Sequence, residues 1–292
     1  MASPAGDVSS SVSELAFYKM TGSGNDFVVL DGRVSVAAQW MAPQIRALCD
    51  RRHGVGADGL VILTPVAGEA VRMQYWNSDG SVGAMCGNAA LCSARLARVL
   101  DMVAAPEFCL LTDSGTVRVR TEEGREPEIN LPDVELDPEP LAGINLGPGE
   151  RWMRFVRVGV PHLVVRVDDV GTIDIPTRGR SLRWHPALGP EGANANFISH
   201  QVGGDAPWLI RTYERGVEGE TLACGSGTVA ATLALASAGE AKPRLVLRSR
   251  GGLPLEVHAT LEGNRARNIW LRGQGRLVYR GYVSSAQISN PT

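Results

Sequence analysis

The sequence has very little lysine, no long basic segment and no apolar segment long enough to span a membrane. Lys19 and Lys242 are the two lysines among the 292 residues. Neither lies where a pyridoxal Schiff base is expected, which argues against pyridoxal chemistry. The formal net charge is −2, and no stretch combines aromatic with basic residues, so we expect neither nucleic acid nor membrane as a partner. The most apolar helical candidate, residues 228–238, is too short for a membrane span.

Cysteine is also sparse, and its spacing excludes several kinds of site. The five cysteines are odd in number and form no CxxC pair, which favours reduced thiols and a cytoplasmic location. The histidines show no ligand spacing with one another or with cysteine, so we expect no metal site. Three cysteines lie in apolar surroundings and are predicted to be small buried hydrophobic residues: Cys49, Cys92 and Cys109. Residues 1–14 predict a disordered tail rather than a signal peptide.

Most of the chain is predicted to form short strands separated by Gly, Pro, Asp and Asn turns. Hydrophobic residues make up 44% of the chain, enough for a sizeable core. Three helices are predicted, at residues 40–51, 89–100 and 228–238. Alternation and turn signals predict strands at 27–30, 59–63, 71–76, 108–111, 117–120, 128–131, 156–158, 163–167, 209–213, 244–248, 255–259, 269–272 and 276–279. This mixture favours an α+β fold over a regular βαβ array.

The chain divides near its middle, where residues 131–148 are rich in Pro, Glu and Asp and predict a linker. On each side, a glycine-rich segment precedes one helix within a run of strands. We therefore expect two similar domains, 15–137 and 138–274, each wrapping strands around a central helix. A small-ligand site is expected in the cleft between them.

Two cysteines stand at the beginning of predicted helices. Cys86 and Cys224 are each followed by glycine and by small or amide residues, and then by a helical segment. The start of a helix offers free backbone N–H groups and the positive end of the dipole. Such a place binds a carboxylate and favours thiolate over thiol. Two of them, one in each half, predict a pair of thiols that act on opposite faces of one anionic substrate.

Several polar residues near these cysteines have both a functional and an ordinary interpretation. Asn25 and Asn77 lie in turn-like segments, where each amide either holds a ligand or only stabilises the turn. Glu214 and Arg215 form either a surface ion pair or a site in which the arginine clamps a carboxylate and the glutamate takes an ammonium. His162 is either structural or a supporting residue of the site.

Five blocks in order give the chain a recognisable pattern: residues 19–27, 52–59, 77–88, 194–197 and 213–227. With both cysteines in place, the sequence resembles the diaminopimelate epimerase family of cofactor-independent amino-acid racemases. The similarity runs from residue 18 to residue 283. It implies an α+β fold of two pseudo-symmetric, barrel-like halves around central helices, with a last strand, 275–284, that returns to the first domain.

The resemblance also implies a reaction and a set of site residues. The reaction is the interconversion of LL- and meso-diaminopimelate, which supplies lysine and peptidoglycan precursors and needs no cofactor. Relatives are often homodimers. The implied catalytic pair is Cys86 and Cys224, and the implied substrate-binding residues are Asn25, Asn77, Gly87, Asn88, Asn194, Glu214, Arg215, Gly225 and Ser226.

The chain departs from the family pattern at a few positions. Ala89 replaces a glycine and Leu91 an arginine, while Gly59 stands where some members have glutamine. Val160 replaces an asparagine that contacts the distal amino-acid end of the substrate in many members. Residues 216–219 form a loop with one extra residue. The alternatives are therefore a racemase of another amino acid, such as histidine or proline, and a non-catalytic carboxylate-binding protein.

Overall fold

The computed structural model describes residues 14–35, 39–83, 85–137, 141–200 and 207–284. The predicted tail lies outside these residues except for Glu14, which begins the first strand. The first part of the chain contains two helices, α1 (Ala42–Cys49) and α2 (Gly87–Val99). Its strands are β1 (Glu14–Gly22), β2 (Asn25–Asp31), β3 (Gly59–Val66), β4 (Ala70–Asn77), β5 (Val82–Gly83), β6 (Glu107–Thr112), β7 (Gly115–Arg120), β8 (Glu128–Leu131) and β9 (Val134–Glu135).

The second part of the chain is built in the same order. It contains a short helix, α3 (Arg180–Arg183), preceded by a π-helical turn at Ile175–Gly179, and a long helix, α4 (Gly225–Ser237). Its strands are β10 (Glu150–Val158), β11 (Val160–Val167), β12 (Asn194–His200), β13 (Trp208–Glu214), β14 (Gly219–Thr221), β15 (Arg244–Ser249), β16 (Pro254–Glu262), β17 (Arg265–Arg272) and β18 (Arg276–Ser284).

Strand pairing repeats in the two halves. In the first half, β1–β2 is antiparallel, β2–β3 parallel, β3–β4 antiparallel, β4–β6 parallel and β6–β7 antiparallel. The second half repeats this series of orientations in the pairs β10–β11, β11–β12, β12–β13, β13–β15 and β15–β16. Helices α2 and α4 occupy equivalent places, just before β6 and β15. The pseudo-symmetric α+β fold expected from the sequence is therefore confirmed.

Strands β17 and β18 join the halves. Strand β18 runs antiparallel to β1, with Glu14 opposite Ser284, so the last strand returns to the first half as expected. Strand β17 pairs with β8 and β9. Because β9 and Leu136, which bridges to Val156, lie within the predicted linker 131–148, the linker prediction is wrong for its first residues. Paired backbone there satisfies hydrogen bonds that a solvated linker would leave to water.

The two long helices lie in the core, and their composition explains why. Helix α4 is apolar around its whole circumference, a pattern typical of a helix buried on all sides. Helix α2 contacts β1, β2, β3, β4, β8 and β18, while α4 contacts strands of the other half. The described residues contain no helix that combines the length and the hydropathy of a membrane span.

Every predicted strand lies within an observed one, and the three predicted helices are present with shifted ends. Helix α1 begins at Ala42 rather than at residue 40, next to a proline that favours the first turn. Cys49 and Cys92 are buried as predicted, but Cys109 is half-buried, so that prediction is wrong. Burial alternates along β6, and Cys109 lies on the opposite face from its buried neighbours.

Candidate active site

Cys86 and Cys224 are the N-cap residues of α2 and α4. Their backbone angles are nearly the same, with φ/ψ of −133°/121° for Cys86 and −131°/111° for Cys224. Both helices have 13 residues and begin with the glycine that follows the cysteine. Each sulfur therefore lies beside the free N–H groups of a helix start. The structure places the two predicted thiols at equivalent points of the two halves.

Burial dominates the acidity of both thiols. It raises the pKa of Cys86 to about 11, although the backbone N–H groups of Ala89 and Asn88 oppose the rise. Burial raises the pKa of Cys224 to about 12, opposed by the Gly227 N–H and the Ser226 hydroxyl. The helix start alone predicts a lowered pKa, and here desolvation outweighs it. In the protein alone, both groups are thiols at neutral pH.

The charge of Glu214 acts on both sulfurs. This last residue of β13 is half-buried, and desolvation raises the pKa of its carboxyl group. Its negative charge is the next largest cause that raises the pKa of Cys224, and it also raises the pKa of Cys86. The Cys86 charge in turn raises the pKa of Cys224. The Glu214 carboxylate and the two thiols therefore influence one another electrostatically.

Asn25 and Asn88 are joined side chain to side chain. The Asn88 Nδ2 group donates to Asn25 Oδ1 at 2.7 Å, and Asn25 Nδ2 donates to Asp58 Oδ2 at 2.9 Å. Asn88 Oδ1 is buried and has no hydrogen-bond partner among the described residues. A Cβ atom added at Gly225 would lie 3.9 Å from this oxygen. The start of α2 therefore presents a free acceptor toward the start of α4.

Asn77 ends β4 and is held by two neighbours. Its Oδ1 accepts from the Tyr75 hydroxyl at 2.9 Å, and its Nδ2 donates to Ser81 Oγ at 3.0 Å. Burial raises the pKa of Tyr75, and the Cys86 charge adds to the rise. Tyr75 thus holds Asn77 and lies within electrostatic range of the first thiol. Its ring also fills the space that a side chain at Gly59 would need, since a Cβ there would lie 2.6 Å from it.

Asn194 and Arg215 are joined in the other half. The Arg215 backbone N–H donates to Asn194 Oδ1 at 2.7 Å, which fixes the end of β13 against the start of β12. The Arg215 guanidinium lies 3.7 Å from Glu191 Oε1 and remains 30% exposed. Glu191 binds Arg157 more closely, at 3.0 Å. Arg215 is therefore only loosely paired and can take a second carboxylate.

His162 is fully buried and neutral. Burial lowers the pKa of His162 to about 3, and the charge of Arg215 contributes. Its Nδ1 lies 3.2 Å from Asn196 Nδ2, a group that also donates to two backbone carbonyls. The Asn196 Oδ1 accepts from Thr212 at 3.0 Å, so the amide orientation is fixed and His162 Nδ1 is the acceptor. The proton is then on Nε2, which has no partner in the described part of the chain.

The structure thus places Gly87, Asn88, Gly225 and Ser226 at the starts of α2 and α4, with Asn25 bonded to Asn88 and the charge of Glu214 acting on both cysteines. Four residues that the sequence interpretation did not assign to the site support them: Asp58, Tyr75, Glu191 and Asn196. Asp58 lies within a quoted block, but its turn-like context gave no sign that it accepts from Asn25. The departures from the family pattern are accommodated, since Ala89 and Leu91 are fully buried and Val160 is a half-buried strand residue.

Comparison with known proteins agrees with this geometry. The sequence profile of the diaminopimelate epimerase family matches residues 17–133 and 154–269. A diaminopimelate epimerase of Gemmatimonas aurantiaca is 39% identical over 287 residues, covering 92% of this chain and 99% of the relative. One of Chlorobaculum tepidum is 35% identical over 266 residues, covering 91% of this chain and 100% of the relative.

Solved structures show the same fold at low identity. A phenazine biosynthesis protein of the PhzF family from Bacillus anthracis has a TM-score of 0.70 and 12% identity, covering 93% of this chain and 99% of that one. A probable proline racemase from Agrobacterium radiobacter has a TM-score of 0.64 and 18% identity, covering 94% of each chain. With its repeated halves, paired N-cap cysteines and near full-length similarity, the chain belongs to the diaminopimelate epimerase family.

Proposed function

We propose that this protein is an isomerase that interconverts LL- and meso-diaminopimelate, the step that supplies lysine and peptidoglycan precursors. The observation that carries the proposal is the placement of Cys86 and Cys224 at equivalent helix starts, with the charge of Glu214 acting on both. Inversion at carbon requires that a proton leave one face while another arrives at the opposite face. Two thiols from two pseudo-symmetric halves meet this requirement without a cofactor.

In the proposed reaction, one cysteine as thiolate removes the α-proton, and the other as thiol donates a proton to the opposite face. The reverse reaction exchanges their roles. Glu214 takes the α-ammonium group of the substrate. This pairing neutralises the charge that raises the pKa of both thiols, so substrate binding itself favours formation of the thiolate. Our assignment of Cys86 as the base toward the LL substrate rests on family analogy.

The helix starts supply stabilisation for the charge that develops on the substrate. Backbone N–H groups of Gly87, Asn88, Gly225 and Ser226 surround the place for the α-carboxylate in this proposal. Donors aimed at developing negative charge contribute about 3 kcal/mol each in low-dielectric sites. Burial of both sulfurs excludes water and strengthens these interactions.

At the other end of the substrate, Arg215 binds the distal carboxylate in this proposal, with Asn77 and Asn194 nearby, while Asn25 holds Asn88 at the start of α2. Arg215 suits this role because its pairing with Glu191 is loose, at 3.7 Å. Bidentate binding by a guanidinium gives both charge and directional specificity. His162 is a supporting residue, since its neutral ring and fixed tautomer give the site one buried N–H donor.

Chiral analysis of purified protein incubated with LL-diaminopimelate and no added cofactor tests the proposal. We expect the meso isomer to accumulate to an equilibrium mixture. Val160 replaces an amide side chain and motivates one alternative, a racemase of histidine or proline type. A panel of simple L-amino acids in the same assay separates the two. If no amino acid exchanges its α-hydrogen with solvent deuterium, the protein is a carboxylate-binding protein and the proposal is wrong.

The proposed domain division is 15–137 with the returning strand 275–284, followed by 138–274. The repeated strand pairing supports it. Limited proteolysis that first separates fragments at this boundary is the expected result, and first cuts inside either domain would contradict it.

A cytoplasmic homodimer is the proposed state of the protein in the cell. Tyr279 and Tyr282 on β18 are 47% and 70% exposed, and such aromatic residues are typical of subunit contacts. Sedimentation equilibrium is expected to give twice the mass of the chain, and cell fractionation is expected to place the protein with cytoplasmic markers. A monomer at micromolar concentration, or recovery outside the cytoplasm, would contradict these two points.

A further inference from the structure

A series of hydrogen-bonded side chains connects the protein surface to the start of α2. Arg51, whose side chain is 59% exposed, donates to Asp58 Oδ1 at 2.7 Å. The other oxygen of Asp58 accepts from Asn25 Nδ2 at 2.9 Å and from the Asp26 backbone N–H at 3.2 Å. Asn25 Oδ1 then accepts from Asn88 Nδ2 at 2.7 Å. The hydrogen bonds from Asn88 to Asn25 and from Asn25 to Asp58 both run toward the carboxylate, and Arg51 donates to it from the opposite side.

The direction is imposed by Asp58. An ionised carboxylate only accepts hydrogen bonds, so Asn25 must turn its NH2 group toward Asp58. Its oxygen is then the atom that faces Asn88, and Asn88 must donate in turn. The side-chain oxygen of Asn88, Oδ1, then points away from Asn25. Without the carboxylate, both amides can flip, and a flipped Asn88 presents NH2 where it now presents oxygen.

The free oxygen of Asn88 lies in the site and is buried. Asn88 is 5% exposed, and its Oδ1 has no partner within the described residues. The atom faces Gly225 at the start of the opposite helix. A buried acceptor without a donor is costly, and the group that satisfies it must bring an N–H or O–H. Among the groups of an amino acid, the α-ammonium is the cation that does this, while a carboxylate is repelled.

We propose that Asp58 is a positioning residue: it orients the Asn25–Asn88 pair so that Asn88 Oδ1 accepts a hydrogen bond from the substrate ammonium. This inference rests on the proposed function. Asn88 Oδ1 and the Glu214 carboxylate then bind the same ammonium group, and the backbone N–H groups bind the carboxylate. The ammonium and the carboxylate on the α-carbon are thereby bound by different groups of the protein, and the substrate is held in one orientation between the sulfurs.

The substitution Asp58→Ala removes the acceptor and frees both amides. A hydrogen bond to a charged group is typically strong enough that its loss raises KM about 10- to 100-fold. The bond is present in both the bound substrate and the transition state, so kcat changes by less than about 3-fold. The conservative variant Asp58→Asn keeps an oxygen toward Asn25 when its NH2 group turns to the exposed Arg51, whose guanidinium retains its other partner, Asp26. Asp58→Asn is therefore expected to restore most of the wild-type KM.

Two further measurements separate this role from a merely structural one. Arg51→Gln changes the exposed end of this series of hydrogen bonds and leaves the Asp58 oxygen that faces Asn25. The KM of this variant is therefore expected to stay within about 2-fold of wild type. Side-chain NH2 resonances of 15N-asparagine-labelled protein without substrate report the amide orientation independently of activity. We expect the Asn25 and Asn88 signals to shift in Asp58→Ala and to be largely retained in Asp58→Asn.

An unchanged KM in folded Asp58→Ala, or equal impairment of Asp58→Ala and Asp58→Asn, would overturn the inference. In these cases the wild-type protein still exchanges the α-hydrogen, so the proposed function stands. If the wild-type protein itself gives no exchange, the proposed function is what fails, and the resonances still report on the role of Asp58.

Discussion

Ala89 and Gly227 are the third residues of α2 and α4, and each directs its backbone N–H toward the sulfur of the preceding cysteine. The two positions differ in the space around them. A Cβ atom fits at Ala89, which is fully buried. At Gly227 it would lie 2.3 Å from Asn196 Oδ1 and 3.2 Å from Cys224 Sγ. The two helix starts are equivalent in their backbone but not in their packing.

The first prediction concerns this crowded glycine. Gly227→Ala is expected to lower the free energy of unfolding by about 2 kcal/mol, because Asn196 is held by several hydrogen bonds and cannot move aside. Gly87→Ala is the matched control at the other helix, since within the described residues its Cβ would meet only Ile129 Cδ1 at 3.7 Å. Urea unfolding measures both variants, and equal stabilities would contradict the packing that we describe.

The second prediction concerns the pH dependence of the two thiols. Thiolate absorbance is expected to rise only as pH approaches about 11 for Cys86 and about 12 for Cys224, because burial raises both pKa values. An unfolded thiol ionises nearer its reference value of 9.0, so the folded protein holds more protons between these limits. Ionisation of these thiols therefore does not affect the free energy of unfolding below pH about 9. The free energy of unfolding falls as pH rises from there through the folded pKa values.

Difference titration of wild type against the cysteine-to-serine variants isolates these two groups from the tyrosines and other cysteines. A thiolate signal that is complete below pH about 9 in the protein without substrate would contradict burial as the dominant cause.

The third prediction separates the charge of Glu214 from its size. Glu214→Gln removes the negative charge that raises the pKa of both thiols, so both pKa values are expected to fall. The variant also loses the partner of the substrate ammonium, so KM is expected to rise by about 10-fold or more. Thiolate absorbance and steady-state kinetics measure the two effects. Thiol pKa values that do not change would show that the charge of Glu214 does not act on the sulfurs.

The fourth prediction concerns the loose pairing of Arg215. Glu191→Gln removes the carboxylate that lies 3.7 Å from its guanidinium, which frees Arg215 for a carboxylate of the substrate. We expect KM for diaminopimelate to fall by about 2- to 3-fold, because exposed ion pairs are weak. Arg157→Gln, which removes the other partner of Glu191, is the control and should not lower KM. A higher KM in Glu191→Gln would contradict competition for Arg215.

Much of the fold follows from the sequence, because the alternation of apolar and polar residues along a strand is a local pattern that predicts the strand. Strand β12 was missed, and its residues show why: Asn194 and Asn196 resemble turn residues. In the structure their amides bond to neighbouring strands, so polar side chains are satisfied inside a buried strand. Such satisfaction depends on tertiary neighbours and leaves no local signal.

The same contrast holds for the candidate site, where some residues are marked by a local pattern and others depend on contacts between residues distant in the sequence. Cys86 and Cys224 were predicted at helix starts because an N-cap followed by glycine is a local pattern, and both are N-caps in the structure. Asp58 acts on Asn88 through Asn25, across 63 residues between the two asparagines, and no spacing rule predicts such a contact. The pKa values of the thiols also could not be foreseen, because desolvation depends on the whole packed site.

The most direct test of the two-thiol account is turnover of LL-diaminopimelate in deuterated buffer by Cys86→Ser and Cys224→Ser. Serine keeps the shape of the side chain but is a far weaker acid, so each variant is expected to fold normally and to lose epimerisation by roughly 100- to 10,000-fold. Circular dichroism and the unfolding midpoint verify the fold. Near-normal formation of the meso isomer by either folded variant would contradict the account.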